Sequence, residues 1–201
     1  MPHEVATMRI LRIRFGALAL ALTLSGLAGC GTYRGAHKYQ DKNMDFGAIR
    51  TVAVMPFGNL SRDNLAAERV RDAYASMLLS TGAVYVLPYG EVVRAISKVG
   101  IALPTTPSSE EVTKLGTQLK ADGIITGVVR EYGEVRSGVA VSNVCSLSVQ
   151  LVETATGKVV WSGETTRGGV TWSDRLFGGG GAPLNDVTEA AVDDLLNKMF
   201  R

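Results

Sequence analysis

Histidine and cysteine are scarce in this chain, and the scarcity excludes several kinds of active site. The 201 residues include two histidines and two cysteines. His3 lies at the very start of the chain, and His37 lies in a polar segment ahead of the first predicted strand. A Ser-His-Asp triad and a histidine-bound metal site are therefore excluded from the predicted folded domain. We expect no catalytic residue, no metal ion and no cofactor.

A large charge of one sign and a long apolar run are also missing. The chain has 21 Lys and Arg against 19 Asp and Glu. Residues 1–29 hold three of the arginines and one glutamate, so the remainder carries equal numbers of both charges. A balanced charge makes nucleic acid an unsuitable main partner. The longest apolar run, residues 15–27, is shorter than the roughly 20 residues that a membrane-spanning helix needs.

That apolar run has the features of an export signal. Three arginines precede it, and a basic segment followed by an apolar segment of this length is typical of a secretory signal. The run ends in Leu27, Ala28, Gly29 and Cys30. This tetrapeptide resembles the bacterial lipobox, which implies cleavage before Cys30, lipid on its thiol and acylation of the new N-terminus. An ordinary signal with a chance cysteine is the alternative.

Lipid on Cys30 would leave Cys145 without a disulfide partner and would make the following segment a tether. If Cys30 carries lipid, Cys145 is the cysteine left over, so no disulfide forms within the chain. Cys145 occupies the apolar face of a predicted strand and is expected to be a buried, inert thiol. Residues 1–29 are thus predicted to be a lipoprotein signal peptide, and residues 30–46, which lack an apolar period, a flexible tether.

Hydrophobic periodicity predicts one domain over residues 47–201. Apolar stretches at 50–57 and 84–87 predict strands, as do 123–135, the clearly alternating 139–153 and its hairpin partner 158–167. Helical periods end near 79, 99, 120 and 199. The first has one apolar stripe, formed by Val70, Ala73, Tyr74, Met77 and Leu78, and the spacing of Ser108 and Glu111 predicts a capping box at the start of the third. A Gly-rich segment, 168–183, precedes the last helix. The order βαβααβββα favours parallel pairing early in the chain and an antiparallel hairpin later. The predicted fold class is α/β (α+β), a single domain with a mixed sheet of about five strands and helices packed on it.

Candidate partner contacts lie in two places. The loop after the first predicted strand joins the carboxyl end of a strand to a helix, a position where α/β sheets often bind ligands. Phe57, Asn59 and Leu60 in this loop are therefore candidate contact residues, with a plain connection as the alternative. Trp172, in the Gly-rich segment, is a candidate docking residue, whereas Trp161 is expected to pack in the core.

Two acidic pairs and a run of glycines do not indicate catalysis or phosphate binding. Glu110 and Glu111, like Asp193 and Asp194, lie in predicted helices, where adjacent side chains do not face each other. We therefore expect solvated charges at both pairs rather than acid–base catalysis. The four glycines at 178–181 directly follow no strand and precede no Lys-Ser/Thr, so they do not match a phosphate-binding loop.

Three segments, at strand ends and in a hairpin, carry a recognisable pattern. They are residues 51–59, TVAVMPFGN, residues 121–127, ADGIITG, and residues 149–161, VQLVETATGKVVW. Together with the lipobox they resemble a superfamily of bacterial envelope lipoproteins. It includes the curli-secretion lipoprotein, the lipoprotein activator of penicillin-binding proteins and, by similarity, the amino-terminal domain of the Tol-system propeller protein. The resemblance implies a compact αβ domain that faces the periplasm and works by protein–protein contact.

The expected function follows from the lipobox and this resemblance together. We expect a non-enzymatic interaction or assembly factor, lipid-anchored to the outer membrane with its domain on the periplasmic side. Gly31 after the modified cysteine, instead of aspartate, favours the outer membrane under the sorting rule of enteric bacteria. The partner is an unidentified envelope protein, and self-association into a homo-oligomer is open. The alternative is a subunit of an oligomeric curli-type secretion channel.

Overall fold

The computed structural model describes residues 38–138, 140–169 and 181–200 of the chain. The strands are β1 Lys38–Gln40, β2 Thr51–Val54, β3 Gly58–Asn59, β4 Tyr85–Val86, β5 Gly123–Ser137, β6 Ala140–Glu153 and β7 Val159–Gly168. The helices are α1 Ala66–Ser80, α2 Tyr89–Val99, α3 Ser109–Leu119 and α4 Leu184–Phe200. Within the described ranges, no helix is both long and apolar enough to cross a bilayer.

The strands form one mixed sheet in the order β1-β7-β6-β5-β2-β4, with β3 paired to β5. β2 runs parallel to β4 and to β5, whereas β6 is antiparallel to both β5 and β7. This confirms the predicted fold class, and the predicted order βαβααβββα is found with two short strands, β1 and β3, added to it. The described residues therefore form seven strands, and the expected number of about five was wrong.

The first additional strand, β1, lies inside the segment predicted to be a flexible tether. It pairs antiparallel with β7 at the edge of the sheet, with Lys38 opposite Gly163. A 3-10 turn follows at Phe46–Ala48, where the carboxylate of Asp45 accepts a hydrogen bond from a backbone N–H. Because β1 consists of three exposed residues without apolar alternation, periodicity contained no signal for it. The tether prediction is corrected here, since the sheet includes the chain from Lys38 onward.

Helices cover both faces of the sheet. α1 and α4 pack on one face, where they share a core with β2, β5, β6 and β7, and α2 and α3 pack on the other. The predicted apolar stripe of α1 packs on this core, with Val70, Tyr74 and Leu78 fully inaccessible to solvent and Ala73 and Met77 partly buried. Val92 of α2 and Leu115 of α3 are equally buried on the opposite face. Removal of these side chains from water, at roughly 25 cal/mol per Å² of apolar area, is the main stabilising contribution.

Helix α3 begins at the predicted capping box. Ser108 N donates to Oε2 of Glu111 at 2.7 Å, and Glu111 N donates to Oγ of Ser108 at 3.3 Å. Two backbone N–H groups at the helix start are thereby satisfied. The cap orients a helix whose Gly116 lies directly against Thr154 in the turn between β6 and β7.

Strand β6 keeps the predicted alternation in its second half. Cys145, Leu147 and Val149 are buried in the core shared with α4. In the first half the buried positions change parity, because Val144 is buried whereas Val141, expected on the same face as Cys145, is half-buried. The change lies close to a register shift in the pairing of β5 with β6. A single apolar face along the whole strand was therefore too simple a prediction.

Candidate functional site

Phe57, a predicted partner contact, belongs to the core. Its side chain is buried, and its ring centroid lies 6.0 Å from that of Tyr74 in α1. The ring also covers Gly127 of β5, where an added Cβ would come within 2.9 Å of three ring carbons. Because the segment between β2 and β3 directs Phe57 towards α1, the ring has no free surface for a partner. The expectation of a contact at Phe57 is corrected by this burial.

Asn59, the second predicted contact, is exposed, but its carboxamide holds the loop that follows β3. Its Nδ2 donates to the carbonyl oxygen of Asp63 at 2.8 Å, and its Oδ1 accepts from both N and Oγ of Ser61. The carboxylate of Asp63 in turn accepts from N of Leu65 at 2.9 Å and pairs with Arg69 at 3.1 Å. The polar groups of Asn59 are thus used within the loop, which they make a defined structure rather than a loose connection.

Leu60, the third predicted contact, is presented to solvent by this loop. Its backbone N donates to the carbonyl oxygen of Val129 in β5 at 2.8 Å, and its side chain is 72% exposed. Leu65, five residues on, is 51% exposed at the start of α1. Leu65 was not identified from the sequence. Its position outside the buried stripe of Val70 and Tyr74 could have indicated that its side chain is exposed. We call the segment 60–65 the leucine loop.

The remaining predicted site residues divide between the core and the undescribed part of the chain. Trp161 is fully buried between β7 and α4, which confirms its expected core position. Trp172 lies outside the described residues, and its docking role stays a prediction. Cys30 and the lipobox residues Leu27, Ala28 and Gly29 also lie outside them, so lipidation stays a prediction as well.

The arrangement offers little for nucleophilic or metal chemistry. Burial raises the pKa of the Cys145 thiol to about 11, although a hydrogen bond with the Thr188 side chain opposes part of the shift. A thiol with so high a pKa is a poor source of the nucleophilic thiolate. In the part of the chain that the structure describes, no three His, Cys, Asp or Glu side chains are grouped as metal ligands. Cys145 is therefore a buried core thiol, as its place in the alternation predicted.

Asp194 differs from its expected role as a solvated helix charge. Its carboxylate accepts from Thr165 at 2.6 Å and from Lys198 at 2.8 Å, and it also pairs with Arg167. Burial alone would raise the pKa of this carboxyl. The hydrogen bonds from Lys198 and Thr165, and the charges of both cations, outweigh burial and hold the pKa of Asp194 below its usual value. The carboxylate joins α4 to β7, whereas Glu110 is exposed as predicted.

A cavity of about 550 Å³ lies at the end of the domain where α1 and α4 finish. Its lining comes from the 3-10 turn, the start of β2, the segment from α1 to β4, the interior of β5 and β6, and the last residues of α4. Most of the lining is apolar, and Arg50 is its charged member. No sequence signal indicated this cavity, because its walls are contributed by segments that are far apart along the chain.

Comparisons with known proteins agree with this architecture. Lipoprotein GNA1162 from Neisseria meningitidis is 20% identical, with a TM-score of 0.55 over 75% of this chain and 97% of that protein. The PelC dodecamer from Paraburkholderia phytofirmans is 18% identical, with a TM-score of 0.54 over 80% of this chain and 95% of that one. At these identities the likeness shows a shared fold. A search of curated proteins gives no significant match.

The comparison with family models is more specific than the structural likeness. The GNA1162-like lipoprotein model matches residues 44–199, which include β2 to β7 and nearly all of α4. The match starts in the segment before the 3-10 turn and extends over the capped helix α3, the β5–β6–β7 meander and the network around Asp194. It thus includes nearly the whole described domain. The chain belongs to the GNA1162-like family of lipoproteins.

Proposed function

We propose that this protein is attached by lipid on Cys30 to the periplasmic face of the outer membrane. There it acts without catalysis as an interaction or assembly factor of the cell envelope. The observation that carries the proposal is the match of a lipoprotein family model to residues 44–199 of a chain that also has the LAGC lipobox. At about 0.8 kcal/mol per buried methylene, two or three acyl chains would contribute on the order of 20 kcal/mol, so attachment would be permanent.

The leucine loop is the contact surface that we propose for the envelope partner. Two exposed leucines on a loop held by its own hydrogen bonds offer apolar area at a small cost in conformational entropy. The loop also follows the carboxyl end of β2, where ligands of α/β sheets commonly bind. Leu60 would make the main contact with the partner and Leu65 a neighbouring one, whereas Phe57 is buried and would make none.

Self-association belongs to the same proposal, whereas a secretion channel is not favoured. The protein from Paraburkholderia phytofirmans with this fold is a dodecamer, and we propose that this chain also assembles with copies of itself. A channel subunit that turned the apolar face of β6 towards lipid would take that face out of the core. Cys145, Leu147 and Val149 are instead buried in the core shared with α4.

The anchor is tested by Cys30→Ser. The variant is expected to lose all incorporation of radiolabelled palmitate and to leave the outer-membrane fraction, because the thiol is the acceptor for lipid. Cys145→Ser is the matched control and should keep both label and location, since its thiol is buried and takes no part in attachment. Label on the Cys30→Ser protein, or an unchanged outer-membrane location, would refute the anchor.

The contact surface is tested by a photo-crosslinking amino acid placed at Leu60 in living cells. We expect a discrete crosslinked band that requires Cys30, because the partner lies in the envelope. The same amino acid at Leu103 is the control, since Leu103 is 68% exposed in the connection between α2 and α3. Equal crosslinking from both positions, or none from Leu60, would contradict a docking role for the leucine loop.

A further inference from the structure

The cavity at the end of α1 and α4 has an apolar floor. Val52, Leu78, Ile125 and Leu151 form part of its wall, and each is itself buried, so the cavity reaches the hydrophobic core of the domain. A volume of about 550 Å³ lies within the roughly 300–1,000 Å³ typical of small-molecule sites. A ligand in this cavity would gain mainly from removal of its own apolar surface from water. The occupant is therefore aliphatic over most of its length.

The rim of the cavity differs from its floor. Tyr85 and Phe200 are large apolar side chains that remain 57% and 46% exposed. Arg50 is exposed at the same rim, and within the described ranges no salt bridge involves its guanidinium. The carboxylate of Asp122 accepts from the backbone N of Arg50 at 2.9 Å. Asp45, the acidic residue of the neighbouring turn, directs its carboxylate at N of Gly47. The rim thus combines aromatic surface with a positive charge that forms no salt bridge among the described residues, which suits an anionic group at the head of an apolar chain.

The cavity also lies close to the point where the described chain begins. The ammonium group of Lys38 donates to the carbonyl oxygen of Lys198 at 3.0 Å, and the next two residues, Met199 and Phe200, line the cavity. Seven residues lie between Cys30 and Lys38, and the eight residue steps from one to the other span at most about 29 Å. A lipid on Cys30 would therefore keep the rim of the cavity near the membrane surface.

We propose that this cavity binds an acyl chain of an anionic phospholipid from the membrane to which the protein is anchored, with the headgroup at Arg50. The proposal rests on the proposed anchor for its supply of ligand. The floor takes the hydrocarbon, the aromatic rim lies at the level of the headgroups, and the guanidinium pairs with the phosphate. The protein would hold one end of its domain against the bilayer through a bound lipid as well as through its own anchor.

The test is photo-crosslinking of the full-length lipidated protein in phosphatidylcholine vesicles. The vesicles contain a trace of phosphatidylglycerol with a diazirine on one acyl chain, and a parallel sample contains phosphatidylcholine with the same labelled chain. After irradiation, peptides that contain Tyr85 or Phe200 should carry the phosphatidylglycerol label. Arg50→Gln should lower that labelling about two- to fivefold, as expected for loss of an exposed charge pair. The phosphatidylcholine label should be weak and unchanged by this variant.

Ala83→Trp is the variant that fills the cavity. Ala83 is an exposed residue of the lining, so tryptophan can be placed there without disturbing the core. It should lower labelling of the two peptides about tenfold, as expected when two methylenes are no longer buried. Ala102→Trp, at an exposed position between α2 and α3, is the control and should label as the unmodified protein does.

Each result of this experiment bears on the cavity separately from the anchor. Labelling that ignores both Ala83→Trp and Arg50→Gln, or that spreads evenly over exposed peptides, overturns the proposal. Equal labelling by the two phospholipids overturns the role of Arg50. The mass of the Cys30 peptide from the same digest reports lipidation directly, so a lipidated protein with an unlabelled cavity refutes the acyl site and leaves the anchor intact.

Discussion

Trp161→Ala is expected to destabilise the domain by about 3–5 kcal/mol, the usual cost of truncating a fully buried large aromatic side chain. The ring lies between β7 and α4, and an added Cβ on Gly163 would come within 2.6 Å of one of its carbons. Such close packing leaves little room for the surroundings to collapse into the space left by truncation. Because the free energy of unfolding of a domain is commonly about 5–15 kcal/mol, this loss would remove a large fraction of the stability. Urea unfolding followed by circular dichroism measures the loss.

Tyr39→Ala is the matched control for this truncation. Tyr39 lies on β1, next to the residue that pairs with Trp161, and its side chain is 52% exposed. Truncation of an exposed aromatic residue on an edge strand should change the free energy of unfolding by no more than about 0.5 kcal/mol. Equal effects of the two variants would show that Trp161 is not the core residue that its burial indicates.

Gly116→Ala is expected to destabilise the domain by about 1–3 kcal/mol, although alanine is the best helix former. An added Cβ at Gly116 would lie 2.3 Å from Cβ of Thr154, a distance that requires a backbone shift. Thr154 cannot easily move aside, because its hydroxyl donates to the carbonyl oxygen of Ala121 at 2.6 Å. The close approach of α3 to the β6–β7 turn therefore outweighs the helix propensity gained.

Gly90→Ala provides the opposite expectation at a second helical glycine. Gly90 lies in α2, and an added Cβ there would meet only the flexible end of Arg94, at 3.6 Å. Alanine at this exposed position should stabilise the domain by about 0.5–1 kcal/mol. Thermal unfolding of both variants checks the reversal of sign. Two stabilised proteins, or two destabilised ones, would contradict the packing assigned to Gly116.

Much of the fold could be predicted because local patterns were strong. The stripe of Val70, Tyr74 and Leu78 predicted α1, and the spacing of Ser108 and Glu111 predicted the start of α3. These signals depend on neighbours three or four positions away, and such neighbours are in contact in any helix. The short strands β1 and β3 had no such signal, since two or three backbone pairings need no particular side chains.

The candidate site was less predictable because it depends on which faces meet. Phe57 and Leu60 are apolar residues three positions apart, yet Leu60 is exposed and Phe57 lies under α1. Asp194 resembles a surface charge until β7 places Thr165 and Arg167 beside it. Neither the contact of Phe57 with Tyr74 nor that of Asp194 with Thr165 and Arg167 joins neighbours along the chain, so periodicity contains no trace of either.

The sequence by itself determined the order of the main helices and strands, the buried state of Cys145 and the absence of histidine from residues 38–201, and it predicts the export signal. All of these depend on composition or on residues that are close along the chain. Only the tertiary structure decided that β1 joins the sheet, that the leucine loop replaces Phe57 as the exposed surface, and that an apolar cavity opens beside Arg50. The physical reason is that periodicity reports how apolar a face is, whereas contacts between distant segments decide whether that face is covered.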